Sequence, residues 1–481
     1  MFDWGYRVYE HIPYGFTAID GNLFAAVSDE AQYVTTFSST QRFNEGSWSA
    51  YYNPDDCYTS YYNGIYAAHD YLDKSVDYRY ILGMHRDTLT SNGLDSYRRD
   101  IVDVQRLRAE AHVLKAYYYF ELAKRYGGVP LIDRVYADQK EANLPRGTFD
   151  EVVGLILREI EGVRNELVVD WRAENLEEKS GRITRGAALA LKSRVLLYSL
   201  QPDYGGLFVA ETSTTSPETI WAVRMGATNE FERKNYPIGT QGGGTGICPS
   251  QNLVEAYEST GEDTGDAYAG LDPRFYATVL RNGDTWNGRT LEIYAGGADD
   301  PARQNASPTG YYLRKFLNEN LNLTNDDKRL RSWIVFRYAE ILLNFAEAMN
   351  EAYGPDDAHG YGMSARDAVD AVRARSGVGM PPVDVAPGDA AAMRTAIKHE
   401  RRIELAFEDH RYWDLRRWDD AGTVLNRPLR GVKVTRSGDG FAYTPFEVAK
   451  RIFDAPKMNL YPIPQAEIVK SGGVLDQNPG W

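Results

Sequence analysis

The densest run of chemically capable side chains is His399–Trp418, HERRIELAFEDHRYWDLRRW. Glu400, Glu404 and Glu408 recur every fourth residue, so on a helix they share one face. Carboxylates on adjacent turns lie about 5–6 Å apart at Cβ. Geometry alone therefore does not exclude an acid/base pair for glycoside hydrolysis. A structural role is the better reading. Arg401, Arg402, Arg411, Arg416 and Arg417 crowd the same segment, and arginine forks neutralise carboxylates and fix helix packing.

Other patterns for catalysis or ligation are weak. The seven histidines, His11, His69, His85, His112, His359, His399 and His410, form no HExxH or similar pair. Gly242–Gly246 lacks the Lys-Ser/Thr ending of a phosphate loop, and no GxSxG elbow occurs. No catalytic residue and no cofactor are expected. Asp263–Asp272 is acidic without the ligand order of an EF-hand, which leaves room for a structural calcium ion but does not specify one. Cys57 and Cys248 are the only cysteines, too few for a zinc knuckle or a disulfide framework; whether they bridge is left open.

Binding chemistry is better represented. Tyrosine occurs 34 times, beside 17 Phe and 9 Trp. Most of these rings are expected to pack between helices. Tyr and Trp also offer stiff flat faces with a polar handle, which suits wet recognition surfaces. A sugar ring has an apolar C–H face and a rim of hydroxyls. Stacking it on an aromatic hides area worth on the order of 1–2 kcal/mol, while Arg, Asn and Asp select the hydroxyls. Two stretches combine these types: Arg42–Tyr52, RFNEGSWSAYY, and Asn282–Tyr294, NGDTWNGRTLEIY. The candidate ligand-binding residues are Arg42, Asn44, Trp48, Tyr51 and Tyr52 from the first, and Asn282, Asp284, Trp286, Arg289 and Tyr294 from the second. Trp48 and Trp286 are the favoured platforms, because neither sits on an apolar periodic element. Tyr311–Lys315 is a supporting segment. No metal ligands are assigned.

The elements that must position these residues are helices. Tyr58–Leu72 is periodic. From Arg98 to Tyr126, Ile101, Val104, Leu107, Ala111, Leu114, Tyr118 and Leu122 share one face, and Gly127–Gly128 with Pro130 ends the run. Thr148 and Glu151 form a capping-box pattern ahead of Val152, Ile156, Ile160, Val163 and Leu167. Thr184 is placed to cap an Ala-rich helix ending near Ser199. Helices resume at Trp333–Glu351, at Ser364 to Gly377, and from about Ala391 to Asp409. Between the two blocks, Gln201–Arg331 is rich in Gly, Ser, Thr, Asn and Asp, and reads as loops and short strands. The fold expected is mainly α, with a tetratricopeptide-like helical scaffold and a loop-rich, mixed insertion. Its segments are an N-terminal scaffold over 1–200, the insertion and ligand-binding region over 201–330, further scaffold over 331–420, and an irregular C-terminal segment over 421–481.

Composition narrows the partners. Hydrophobic residues make up 43% of the 481, so disorder is excluded. The net charge of −14 and the lack of basic blocks exclude nucleic acid. No apolar run reaches the length of a membrane span, since Ala187–Leu200 is broken by Lys192 and Arg194. The opening MFDWGYRVYE lacks the basic and apolar regions of a signal peptide.

Several segments, read together and in order, resemble the SusD/RagB family. They are Arg108–Ile132 (RAEAHVLKAYYYFELAKRYGGVPLI), Gly181–Ser199 (GRITRGAALALKSRVLLYS), Trp333–Glu351, Ala371–Val378 (AVRARSGV), His399–Trp418, Pro462–Ile468 (PIPQAEI) and Gln477–Trp481 (QNPGW). The resemblance runs from about residue 10 to the end. It implies a surface-exposed outer-membrane lipoprotein on a tetratricopeptide-like scaffold, a carbohydrate ligand, and a SusC-like TonB-dependent transporter as partner. It also implies a secretion signal and lipid-modified Cys ahead of the equivalent of His11–Phe16 (HIPYGF). This chain carries neither, and Cys57 lies too deep to be that anchor, so contact with a membrane is expected only through an anchor outside these residues. The function expected is non-enzymatic capture of an oligo- or polysaccharide for import. The alternatives are a peptide-binding relative in the same fold, a glycoside hydrolase, and a helical-repeat scaffold for protein partners.

Overall fold

The computed structural model describes residues 1–138, 141–174, 176–192, 208, 216, 218–259, 266, 268–438 and 440–481. They fall into two compact units. The first comprises Met1–Pro13, Trp48–Arg194 and Leu460–Trp481; the second comprises Tyr14–Ser47 and Val195–Asn459. The four successive segments read from sequence are not these units, because each unit is assembled from pieces far apart in the chain.

The fold is mainly helical. In the first unit, the helix Ser91–Tyr126 packs against both Tyr58–Lys74 and Phe149–Val163. Val104, Leu107, Ala111, Leu114, Tyr118 and Leu122 are buried along it, as their spacing requires. The helix starts seven residues before Arg98, where Thr90 accepts from the Gly93 N–H. No residue of the helix before Val104 is buried, so no apolar stripe marks its first turns. Gly127 at φ +76° ends it. The Thr148–Glu151 capping box forms, and Thr184 caps Arg185–Leu191 by accepting from Ala187 N–H. The expected continuation to Ser199 lies outside the described residues.

In the second unit, the core gathers aromatic and aliphatic residues from Phe16 to Val434. Strand Thr219–Thr228 pairs antiparallel with Arg329–Arg337. Trp333 therefore lies within a strand rather than opening a helix, and the helix runs Tyr338–Tyr353. The run Trp333–Phe336 is buried or nearly so throughout, and a short continuous apolar stretch does not distinguish strand from helix. The insertion holds short helices and strands in its described part, such as Glu230–Asn235, Pro273–Thr278 and the pair Thr285–Trp286 with Arg289–Thr290. Ala365–Arg373 opens on a Ser364–Asp367 capping box. Ala390–Glu404 ends five residues short of Asp409, because Phe407 and Asp409 take φ of +66° and +63°.

The C-terminal segment is not irregular throughout. Leu429–Ser437 and Gly440–Ala449 form a long antiparallel pair. No helix among the described residues is long and apolar enough to cross a membrane. Both cysteines are free thiols.

Candidate functional site

Glu400, Glu404 and Glu408 lie at the centre of a buried ionic network. Glu404 takes Arg274 at 2.9 Å, Arg337 at 2.6 Å and Arg375 at 2.7 Å. Glu400 takes Arg274 and Arg373, and Glu408 takes Arg337 and Lys315, each at 2.7 Å. Burial alone would raise the Glu404 carboxyl, but Arg375, Arg337 and Arg274 outweigh it and hold it well below the usual carboxylate range. Burial lowers Lys315 to about 8 against the pull of Glu408. The partners differ from those suggested by sequence proximity. Arg401 pairs with Asp414, Arg402 and Arg411 with Asp29, and Arg417 with Glu347 and Asp414, while Arg416 donates to the Asn459 carbonyl.

The second candidate stretch becomes a hairpin whose candidate polar side chains bond to protein groups within it and around it. Trp286 is 1% exposed, and its ring meets Tyr236 edge-on at 5.1 Å in the core. Asn282 accepts from Ile293 N–H, Asp284 from Arg281 N–H, and Arg289 grips Asp299 at 2.6 Å. Tyr294 is buried between Phe441, stacked at 5.1 Å, and the Arg436 guanidinium, 4.4 Å from its centroid. Lys315 is committed to Glu408. Asp266 and Asp272, the described carboxylates of the acidic run Asp263–Asp272, pair with Arg281 and Arg274; the other acidic residue, Asp263, lies outside the described residues. Among the described residues, no group of three or more His, Cys, Asp and Glu is arranged to hold a metal ion.

The first stretch divides between the units. Arg42 is exposed, and Asn44 is buried and donates to the Ala26 carbonyl; both belong to the second unit. Trp48, Tyr51 and Tyr52 belong to the first. Trp48 is 3% exposed and packs on Tyr461 at 5.1 Å and Trp481 at 4.5 Å. Neither favoured tryptophan is thus an open platform. Both are core residues whose apolar partners come from distant sequence, which local neighbours do not reveal. Tyr51 is the exposed ring, at 84%, and Tyr52 accompanies it at 46%. Ser49 and Tyr52 exchange backbone hydrogen bonds of 2.9 and 3.1 Å, so the turn projects both tyrosines outward.

The same unit holds a cavity of about 300 Å³. Its walls come from Tyr58, Thr59, Tyr62 and Asn63 on one helix, Pro130 and Ile132 after the Gly127–Gly128 turn, Ala142–Leu144, and Glu467, Lys470, Ser471 and Leu475. Spacing of i, i+1, i+4 and i+5 puts the first four on one face. The Tyr58 and Tyr62 rings lie 4.9 Å apart, and Tyr62 donates to the Pro130 carbonyl at 2.8 Å. Burial pushes the Tyr58 phenol up to about 12, so it stays a neutral hydroxyl. Glu467 and Lys470 pair at 2.6 Å and Asn143 donates to the Ser471 carbonyl, leaving a wall with little net charge. Gln465 N–H donates to the Ala50 carbonyl at 2.9 Å, which ties the tyrosine turn to the Gln465–Lys470 helix.

Arg146 clamps this region. It donates to the carbonyls of Tyr126, Gly128 and Asp476 and to Asn478 Oδ1, at 2.8–3.0 Å. Asn478 in turn donates to the Tyr126 and Tyr461 carbonyls, and Trp481 Nε1 to the Leu460 carbonyl. The terminal QNPGW is therefore a latch that brings Trp481 onto Trp48. Sequence reading missed the cavity, because its walls meet only through these long-range bonds. The one available signal was Tyr58 and Tyr62 beside Thr59 and Asn63 on a helix.

Comparison with known proteins agrees with this architecture. The profile of the SusD family matches residues 217–481. A second, described as starch-binding associating with outer membrane, matches residues 18–197. SusD-like protein P2 of Formosa agariphila is 24% identical over 429 residues, covering 83% of this chain and 79% of its own. A SusD-like protein of Bacteroides fragilis is 26% identical and superposes with a TM-score of 0.80, over 99% of this chain and 96% of the other. A SusD-like carbohydrate-binding protein of the same organism is 23% identical, with a TM-score of 0.72 over 94% and 91% of the two chains. With one profile spanning more than half its length and the fold reproduced nearly end to end, the chain belongs to the SusD family.

Proposed function

We propose that this protein captures a neutral oligo- or polysaccharide at the outer surface of the cell and hands it to a SusC-like, TonB-dependent transporter, without making or breaking a bond. The observation that carries the reading is the cavity of Tyr58, Tyr62, Asn63 and Asn143, together with the exposed Tyr51–Tyr52 turn that Ala50 ties to the helix supplying Glu467 and Lys470. Flat rings meet uncharged hydroxyl and amide groups there, which is the surface a sugar ring requires. The outer-membrane location is supported by the description attached to the profile over residues 18–197; lipid anchoring and the transporter partner extend that description. A binding role rather than hydrolysis is supported by the arginine contacts that occupy Glu400, Glu404 and Glu408.

The test is calorimetry against a panel of neutral oligosaccharides. A ligand binds, and Tyr51→Ala weakens it by about five- to thirty-fold, the equivalent of 1–2 kcal/mol of stacking. Asn63→Ala weakens it as well, and neither variant shifts the unfolding midpoint. Failure of every glycan to bind, or undiminished affinity in both variants, overturns the reading.

A further inference from the structure

The second unit carries another exposed aromatic cluster, distant in sequence from every candidate above. Tyr353, His359 and Tyr361 gather where the Tyr338–Tyr353 helix ends. Tyr353 and His359 stack at 3.9 Å between centroids with 14° between planes. Tyr361 lies 6.5 Å from Tyr353 and 6.2 Å from His359. Tyr361 is 65% exposed, Tyr353 39%, and His359 is open to solvent as well.

The loop that holds the rings is tightly tied at both ends. Asp356 accepts from Arg366 Nε at 2.7 Å and from Gly388 N–H at 2.8 Å. Arg366 N–H donates to the Pro355 carbonyl, and the Ser364–Asp367 capping box follows. The chain takes positive φ at Gly354, just before these ties, and at His359, Gly360 and Gly362 between them. His359 adopts φ +43° although it is not glycine, and the Asp357 carboxylate accepts its N–H at 2.7 Å. The rings are thus presented by a shaped backbone rather than scattered on a mobile one.

Three clustered rings left in water forgo the area they would hide on contact with a ligand. The charges around them are largely matched: Glu351 with Arg394, and Asp356 with Arg366. A matched rim favours a neutral ligand over an ion. The Tyr353 and Tyr361 hydroxyls and the Asp357 carboxylate supply donors and acceptors for a hydroxylated ring. We infer that Tyr353, His359 and Tyr361 form a second saccharide-contact site, independent of the cavity in the first unit. This inference rests on the glycan-binding reading above.

The experiment is affinity electrophoresis through gels containing the polysaccharide whose oligomers bind best in calorimetry. The proteins are wild type, Tyr361→Ala, Tyr51→Ala/Asn63→Ala, and the triple variant. Wild type is retarded, Tyr361→Ala is retarded less, the double variant keeps a residual retardation, and the triple variant runs as in a gel without polysaccharide. Thermal midpoints of all four agree, since the substituted side chains are exposed. If Tyr361→Ala matches wild type and the triple variant matches the double, the second site does not exist, while the first reading stands. If wild type is not retarded at all, both fall. Retardation of Tyr361→Phe equal to wild type ties the effect to the ring; equal to Tyr361→Ala, it overturns the stacking role. Loss of retardation in Tyr361→Ala that persists without polysaccharide identifies a protein contact and overturns the proposal.

Discussion

At the scale of single residues, burial sets the chemistry. Glu404 is wholly buried and bonded to three guanidiniums. Glu404→Gln removes the charge and leaves Arg274, Arg337 and Arg375 short of a partner. Breaking a buried ion pair in this way costs about 3–5 kcal/mol, to be read as a fall in the urea midpoint at constant slope. A variant as stable as wild type would show that the network contributes nothing. Glu30 is the opposite case. Burial, reinforced by the neighbouring Asp29 charge, pushes its carboxyl up to about 8. The folded state then keeps a proton that the unfolded chain releases at the ordinary glutamate range. Between these two values the folded state binds more protons, so this group's contribution is full at acidic pH and declines as pH rises toward about 8. Glu30→Gln removes that decline. The variant should lose less stability than wild type between about pH 5 and pH 8.5, by on the order of 2–4 kcal/mol. Equal losses in the two proteins would contradict the raised value.

At the scale of elements, what was legible followed from local pattern. The stripe Val104–Leu122, the Thr148–Glu151 capping box, the helix start at Ser364 and the Thr184 cap stand where spacing and cap chemistry put them. The misreadings share one cause, which is that strand pairing and tertiary burial are non-local. Trp333 looked like the start of a helix until Arg329–Arg337 met Thr219–Thr228. Leu429–Ala449 looked irregular until its two halves paired. Of the residues in the proposed site, only Tyr51 and Tyr52 were singled out by sequence, and the cavity was not. Trp48 shows why: its neighbours in sequence are polar, while its packing partners are Tyr461 and Trp481 at the far end of the chain. Trp48→Ala therefore acts on the fold. It opens a cavity under the Ser49–Tyr52 turn and should cost about 3–5 kcal/mol, with a lowered melting temperature. A melting temperature unchanged from wild type, with glycan affinity reduced, would restore Trp48 as an open platform.

At the scale of the whole molecule, charge separates the ligand from the scaffold. The chain carries a net charge of −14, so an anionic ligand would meet a repulsive field that salt screens, and its affinity would rise with ionic strength. A cationic ligand would show the reverse. The cavity is indifferent to both, because Glu467 and Lys470 neutralise each other and its remaining lining residues, aromatic, aliphatic, hydroxyl and amide, carry no charge. A neutral saccharide bound there gains stacking and hydrogen bonds, neither of which involves a net charge on the ligand. The dissociation constant of the best oligosaccharide should then change less than about twofold between 0.05 and 0.5 M NaCl, while the Debye length falls from roughly 14 to 4 Å. The ionic network around Glu404 is shielded from the same salt by burial, so the cost of Glu404→Gln should be as large at high salt as at low. A salt series run on both quantities checks the argument at once. Affinity that climbs steeply with salt would point to an acidic glycan. Affinity that falls steeply would point to a basic peptide, and the neutral-sugar reading would give way to a peptide-binding one.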